Sequence, residues 1–258
     1  MKKINWRERV FAAAIHFLVT LAVAGLAALL IFRVWFPGAL ADLVGGKQLF
    51  FLVIGCDVTL GPLISLVIYN STKSRWHLIA DYAVIGAVQL AALAYGVFIV
   101  SGSRPAFVAF DADRLEVVTA FELDDKDLAA AVDPRFRTRP WSGPRLVYIR
   151  RPTDPKERNN LLFMEVGGMR AYLMPKYYSD YDAAKADILA KCKSLDTLLD
   201  GSGDKGAALR GAIKSTRRQD TDLCWLLVHD RFGFATALLD AHTAKPLRYV
   251  PVDPTWIK

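Results

Sequence analysis

The sequence predicts an integral membrane protein with three transmembrane α-helices followed by a periplasmic α+β domain. Three long apolar runs, at about residues 10–36, 49–69 and 78–100, occupy the first part of the chain, and the remainder contains none. A helix needs about 20 mostly apolar residues to cross the hydrocarbon core of a bilayer, so each run is long enough. The distribution of charge along the chain gives the same division.

Charge separates the chain at about residue 103. The first part holds eight of the 33 Lys and Arg residues and four of the 26 acids, while the rest is highly charged and nearly balanced. More than half of the formal net charge of +7 therefore lies in the apolar part, where basic residues set orientation. We expect a membrane domain at residues 1–102, a soluble domain at residues 103–258, and no nucleic-acid partner.

The basic residues between the runs predict the orientation, because loops rich in Lys and Arg stay in the cytoplasm. The N-terminal segment and the second connection are basic, whereas the first connection contains only Lys47. The basic positions are Lys2, Lys3, Arg7, Arg9, Lys73 and Arg75. We therefore expect a multi-pass protein of the bacterial inner membrane with a cytoplasmic N-terminus and a periplasmic C-terminal domain. Cleavage of the first run is not expected, since it is too long for a signal peptide and lacks a small-residue cleavage site.

The second run is interrupted at residues 55–63 by an acid, two glycines and a proline. Pro62 has no backbone N–H, so the carbonyl of Val58 loses its helical hydrogen bond. Gly55 and Gly61 let another backbone approach closely. These features predict a contact surface rather than a plain membrane anchor.

Two acids lie in the apolar runs and require an explanation. An Asp at the centre of a membrane helix costs about 2.5–3.5 kcal/mol on insertion scales, so Asp57 needs a partner or a role. It is predicted to brace the helices by bonding Thr59, Gln89 or a neighbouring span, to contact a partner directly, or to take part in catalysis. Asp81 lies near the start of the third run, on the same helix face as Gln89. It is predicted either to contact a partner or to be a solvated acid stabilised near the helix N-terminus.

The soluble part predicts short strands and helices in the pattern of an α+β domain. Strands are expected as a hairpin at residues 106–110 and 115–121, singly at 145–150, and as a closing meander at 223–228, 232–239 and 247–250. Helices are expected at residues 124–132, 154–166, 177–199 and 207–216.

The cysteines and histidines of the chain do not form the pattern of a metal site, and two of the cysteines are predicted to have a structural role. Cys192 and Cys224 both fall in the domain predicted to be periplasmic, so a disulfide between them is expected, with two buried thiols as the alternative. No Cys or His pair has zinc-ligand spacing. The sequence contains no nucleotide-binding, zinc-protease or serine-hydrolase motif. It therefore predicts no metal, no cofactor and no catalytic residues. An intramembrane aspartyl pair of Asp57 and Asp81 is the catalytic alternative.

A series of short motifs runs through the membrane part and into the soluble part. These are Trp35-Phe36-Pro37-Gly38, Gly45-Gly46, residues 55–63, Asp81, residues 89–96, Arg104-Pro105 and residues 113–118. In this order they resemble the TfpX/TfpZ family of type IV pilin accessory proteins, over about residues 30–122. Looser similarity is found at residues 175–178 and at Asp253-Pro254, where Trp256 stands one position later than the family pattern expects.

The resemblance implies a non-catalytic protein that stabilises a type IV pilin subunit in the inner membrane, with the pilin and membrane lipid as partners. The candidate partner-binding residues are Gly55, Asp57, Gly61, Pro62, Asp81 and Gln89. Residues 55–63 are expected to pack on the pilin helix, with Asp81 pairing with the pilin N-terminal amine and Asp57 serving as a brace.

Two other functions remain open. The first alternative is a membrane enzyme that acts on a lipid-linked or periplasmic substrate through Asp57. The second is a sensor or scaffold whose periplasmic domain binds a ligand. A wet cavity around Asp57 favours the enzyme, and a dry, filled three-helix core favours the accessory protein.

Overall fold

The computed structural model describes residues 6–36, 40–70, 73–200 and 202–255, apart from the side chains of Asp42 and Leu49. Its contacts divide the chain into two units, residues 1–33 with 47–101 and residues 34–46 with 102–258. Several residues used in the sequence predictions lie outside the described residues, namely Lys2, Lys3, Pro37, Gly38 and Trp256.

Long apolar helices form the first unit, as predicted. The helices up to residue 102 are α1 (Trp6–Leu30), which continues as a π-helical turn (Ile31–Trp35), the short α2 (Leu40–Leu43) of the second unit, α3 (Gly46–Ile68) and α4 (Arg75–Gly102). In the part of the chain that the structure describes, three helices are long and apolar enough to cross a membrane. Large apolar side chains stay exposed along all three, for example Leu18, Leu63 and Val84.

A mixed β-sheet forms the centre of the second unit, with eight strands among the described residues. The strands are β1 (Pro105–Asp111), β2 (Arg114–Thr119), β3 (Arg145–Ile149), β4 (Tyr178–Asp180), β5 (Lys193–Ser194), β6 (Leu223–Asp230), β7 (Gly233–Asp240) and β8 (Pro246–Val250). Their order is β4-β3-β1-β2-β6-β7-β8, with β5 beside β6.

The pairing of these strands confirms the predicted hairpin and the predicted meander. β1 pairs antiparallel with β2, and β7 pairs antiparallel with both β6 and β8. The sheet is mixed because β3 joins β1 in parallel and β6 joins β2 in parallel. Parallel neighbours require long crossover connections, and local sequence patterns did not predict which strands those connections would join.

Short helices connect the strands of this domain. They are α5 (Asp125–Ala129), α6 (Pro155–Val166), α7 (Lys185–Lys191), α8 (Leu195–Leu199) and α9 (Gly206–Ser215). The single helix predicted over residues 177–199 is wrong, because β4, α7, β5 and α8 share that stretch. Cys192 ends α7 in an extended conformation, and Ser194 caps α8 through the N–H of Asp196.

Two apolar cores and one disulfide hold the domain together. One core packs under β1 and β3 and includes Phe107, Leu161 and Tyr178. The other packs α8 and α9 on β6 and β7. A disulfide joins Cys192 at the end of α7 to Cys224 in β6, with an S–S distance of 2.00 Å.

The connection between α1 and α3 folds as part of the second unit. Trp35, Phe36, Leu40, Ala41 and Val44 are all buried. Within this unit the carbonyl of residue 34 accepts the N–H of residue 143 at 2.9 Å, which ties the end of the first run to the loop before β3. Residues 34–46 and 102–258 therefore form one body although two long helices separate them in the sequence.

Candidate functional site

A chain of hydrogen bonds crosses the three long helices of the first unit. Ser65 Oγ in α3 lies 2.5 Å from His16 Nδ1 in α1, and His16 Nε2 lies 2.7 Å from Gln89 Oε1 in α4. Gln89 Nε2 donates to the backbone carbonyl of Asp57 at 3.3 Å. Since the Gln89 oxygen faces the ring, Nε2–H of His16 donates to it and Nδ1 accepts the Ser65 hydroxyl proton. Each helix therefore contributes a polar group to one satisfied network.

The network depends on a glycine in α3. A Cβ at Gly61 would overlap the Gln89 amide nitrogen and would lie 3.1 Å from His16 Nε2. The absence of a side chain at this position lets Gln89 reach across the surface of α3. Hydrogen bonds between membrane helices contribute on average about 0.6 kcal/mol each to stability. Because these bonds join side chains of three helices, they also fix how the helices pack against one another.

A cavity of about 200 Å³ lies beside this network. Its wall is mostly apolar, with polar groups from His16, Thr20, Asp57 and Gln89. The apolar lining residues include Val19, Val23, Ala24, Ile54, Gly86, Leu90 and Leu93. The three-helix unit is therefore not fully packed at the level of Asp57.

Asp57 uses its backbone and its side chain in different ways. The backbone carbonyl accepts the amide N–H of Gln89, whereas the brace predicted from the sequence was a bond of the acid itself. Among the described residues, no side-chain hydrogen bond or ion pair is formed by the Asp57 carboxylate, which lines the cavity. The carboxylate is therefore placed to accept a donor that enters the cavity.

The other predicted site residues are divided between this cluster and separate surfaces. Gly61 and Gln89 belong to the network, and Pro62 follows directly in α3. Gly55 lies on an exposed part of α3, where an added Cβ would meet open space within 4 Å. Asp81 does not line the cavity and instead pairs with Lys73 at 2.6 Å.

The sequence did not identify His16 and Ser65 as members of the site. His16 lies one turn into the first apolar run, a position that predicts a residue at the membrane interface, and no pattern distinguishes Ser65. One signal could have identified them, because each apolar run carries isolated polar residues. In a bundle of apolar helices such residues tend to form hydrogen bonds with one another. A serine bonded to a histidine also occurs in hydrolases, but Ser65 is fully buried and does not line the cavity, so its hydroxyl is closed to a substrate.

A second candidate surface lies at the C-terminal end of α6 in the soluble domain. The helix begins with Asp154 as its cap, which accepts the N–H of Glu157, and only Leu161 of its apolar residues is buried. The exposed apolar residues around its end are Leu162, Phe163, Val166 and Met169. Exposed apolar groups that lie together on a soluble domain indicate a contact surface.

A polar cleft of about 650 Å³ adjoins this end of α6. In it, Arg151 bonds both Asp111 and Glu165 at 2.7 Å, and His229 Nδ1 lies 2.7 Å from the buried Glu116. Burial raises the pKa of the Glu116 carboxyl above its ordinary value, and the hydrogen bond from His229 opposes that rise. The cleft therefore holds mutually compensating charges. No group of three or more His, Cys, Asp or Glu side chains suited to a metal ion occurs in the described ranges.

Comparison with known proteins places these features in a family context. A family model described as fimbrial assembly protein FimB matches residues 4–45. The chain is 33% identical over 195 residues to the fimbrial assembly protein of serogroup I from Dichelobacter nodosus, covering 74% of this chain and 76% of that protein. The serogroup E1 protein of the same organism is 31% identical over 195 residues, with the same coverage. No solved structure shows a significant match.

Proposed function

Because this chain belongs to the family of fimbrial assembly proteins, we propose that it stabilises a type IV pilin subunit in the inner membrane before the subunit enters the pilus, without catalysis. The filled three-helix core expected for an accessory protein is not found, because a cavity lies beside Asp57. The observation that carries the proposal is that most of the wall of this cavity is apolar, which suits a helix better than a polar substrate. The membrane helices are the part that handles the subunit, and the cavity is where they receive it.

The chemistry of the cavity suits an apolar helix that carries one polar group. A pilin in the membrane presents such an N-terminal helix, with a globular head outside. Apolar side chains and Gly86 form most of the cavity wall, and the Asp57 carboxylate supplies one acceptor. Gly55, with open space around it, provides a flat position on α3 against which a second helix packs closely.

Of the two acids, Asp57 is the better partner for a polar group of the pilin. The sequence favoured Asp81 as the charge partner, but Asp81 is already balanced by Lys73 at 2.6 Å. The Asp57 carboxylate has no such partner in the described chain. An intramembrane acid is costly to retain unless it meets a donor, and a bound pilin helix supplies one.

The acids can be tested by exchanging each for an amide of equal size. We expect Asp57→Asn to reduce the amount of pilin that co-purifies with the full-length protein, and Asp81→Asn, the matched control, to leave it near the unaltered level. Equal pilin recovery with both variants would overturn the role of Asp57. Loss of pilin with Asp81→Asn alone would instead support Asp81 as the charge partner of the pilin, as the sequence predicted.

Outside the membrane helices, the exposed apolar end of α6 is proposed to contact the head of the same subunit. Phe163 and Val166 are 78% and 87% exposed, which is unfavourable for a surface that stays in water. Phe163→Glu is expected to weaken pilin co-purification, whereas Val132→Glu, at another exposed apolar position (68%), is the control. If equal amounts of pilin co-purify with both variants, α6 does not contact the pilin head.

The competing function is a membrane enzyme acting through Asp57, and the observation that supports it is that the same cavity has an acid and three other polar residues in its otherwise apolar wall. Measurement of pilin in cells lacking the protein separates the two, with pilin transcript quantified alongside. Loss of pilin at constant transcript is the outcome expected for a stabilising protein. Normal pilin amounts with altered processing or modification would support the enzyme instead.

A further inference from the structure

Exposed aromatic side chains gather at one end of the sheet of the soluble domain. This is the end where β1 begins directly after Gly102. β2 returns to it antiparallel, and β3 starts and β6 finishes there because each runs parallel to its neighbour. Phe121 follows β2, Trp141 precedes β3 and Phe232 follows β6, with exposures of 52%, 69% and 65%. Four strand ends thus lie at one edge of the sheet, and the segments next to them carry three large aromatic rings.

These rings surround the points where the chain passes between the domain and the long helices. Trp141 packs edge-on against Trp35 at the end of the first run, with ring centroids 5.6 Å apart. A Cβ at Gly45, just before α3, would lie 3.3 Å from the ring of Phe232. The ring of Phe121 lies against Gly102 at the end of α4. Each contact is within the second unit, so it does not depend on how the helices are placed.

Arginines accompany the rings, and the turn that carries one of them is held by a buried acid. The guanidinium of Arg231 lies over the Phe232 ring at 5.1 Å, and that of Arg104 lies over the Trp141 ring at 5.8 Å. Asp230 Oδ1 accepts the N–H of Phe232 at 2.9 Å, which fixes the conformation of the turn. Aromatic rings next to arginines match the headgroup region of a bilayer, where Trp and other aromatic residues are enriched and phosphates bind guanidinium groups.

We propose that Phe121, Trp141 and Phe232, with the exposed Arg231, form a lipid-binding surface through which the soluble domain rests on the headgroups of the membrane. The proposal depends on insertion of the three long helices, which belongs to the proposed function, but not on any pilin. Lipid is the fitting occupant because the chain enters and leaves the apolar helices at this same edge. The domain is thereby restrained close to the membrane, where a subunit in the membrane is within reach.

The test places a spin label on the full-length protein in vesicles that contain anionic phospholipid. With Cys56→Ser removing the free thiol, labels are introduced one at a time by Phe232→Cys, by Phe163→Cys as an exposed control at the end of α6, and by Leu63→Cys as a reference on α3. Collision with oxygen, which concentrates in lipid, is compared with collision with a water-soluble nickel chelate. The ratio of oxygen to nickel accessibility is expected to be several-fold higher at 232 than at 163, and highest at 63.

Each other outcome overturns a defined part of the inference. A label at 232 that is as accessible to nickel as the label at 163, while the label at 63 is in hydrocarbon, would overturn lipid binding and leave membrane insertion intact. Protection at 232 from both reagents would show cover by protein, such as a second copy, and would also overturn it. An aqueous label at 63 would remove the premise of insertion itself, and the lipid-binding surface with it.

Discussion

Gly61 is the residue at which a small change should have the largest effect on the membrane helices. Its missing side chain gives Gln89 room to bond His16 and the Asp57 carbonyl. In Gly61→Ala the new methyl group displaces the Gln89 amide and breaks both bonds, each worth on average about 0.6 kcal/mol. Gly55→Ala is the matched control, because it adds the same methyl group to the same helix in open space.

We expect Gly61→Ala to be about 1 kcal/mol less stable than Gly55→Ala, since both gain the same helix propensity and only one loses interhelical bonds. The measurement is unfolding of the full-length protein in detergent by increasing dodecyl sulfate. If the two alanine variants unfold together, the network does not stabilise the helix packing. The effect on pilin binding is expected to be the opposite: less pilin should co-purify with Gly55→Ala than with Gly61→Ala. Gly55 belongs to the proposed contact, and a methyl group there hinders the approach of the pilin helix.

Glu116 should make the stability of the soluble domain depend on pH. Its pKa is raised by burial in the folded domain, so the folded state holds this proton at pH values where the unfolded chain has released it. The free energy of unfolding therefore falls as pH rises above the ordinary glutamate pKa of about 4.3 and stops falling above the raised value. Glu116→Gln is expected to remove that fall while still accepting a hydrogen bond from His229.

This dependence can be followed by urea unfolding of the full-length protein in detergent at a series of pH values, using intrinsic tryptophan fluorescence, to which the buried Trp225 contributes. The control is Asp113→Asn, because Asp113 is an exposed acid close by that pairs with Arg114. A curve for Glu116→Gln that falls with pH as steeply as the control would show that another group carries the effect.

At the residue scale, sequence and structure agree where a residue is conspicuous by itself. Asp57, Gly61 and Gln89 stand out because polar groups and glycines are unusual in apolar helices, and the structure brings all three to one crossing. His16 and Ser65 were missed because their role exists only through partners on other helices. Which polar groups meet depends on how each helix is rotated, and an apolar run does not specify that rotation.

Among the elements, the disulfide between α7 and β6 should contribute most to the stability of the soluble domain. Cys192 and Cys224 are 32 residues apart, and closing a loop of that size stabilises a domain by roughly 3–4 kcal/mol on the chain-entropy model. Replacing both by serine is expected to lower the unfolding free energy by that amount, measured by urea unfolding without reductant. Cys56→Ser is the control, and a double variant as stable as this control would contradict the expectation.

The elements also show which part of the fold can be predicted locally. The sequence predicted α6 from its amphipathic spacing, which is a local pattern. The start of the helix is local too, since Asp154 caps it and Pro155 occupies the first helical position. The sequence predicted one helix over residues 177–199 because the apolar spacing there is helical. Non-local contacts decide that stretch differently, since Lys193 and Ser194 pair with β6 next to the disulfide and Tyr181 bonds the carbonyl of Ala244.

At the scale of the whole molecule, the two stretches that form the second unit limit the possible topology. Residues 34–46 and 102–258 fold as one body, so they lie on the same side of any membrane that the helices cross. The chain between them contains α3 and α4, two crossings, which returns it to the side it left. The fold places the two stretches on one side without deciding which side that is. The basic residues of the loops predict that it is the periplasmic side.

This orientation predicts which positions a membrane-impermeant thiol reagent reaches in intact cells whose outer membrane has been made permeable. With Cys56→Ser removing the free thiol, cysteine introduced by Val132→Cys in the soluble domain is expected to react, because the side chain is exposed and the domain is proposed to be periplasmic. Cysteine introduced by Ser74→Cys, exposed between α3 and α4, is expected to react only after the inner membrane is broken. Since the charge of the loops and the shared fold both require opposite sides for these two positions, labelling of both in intact cells, or of residue 74 alone, would contradict the orientation and with it a periplasmic contact with the pilin head.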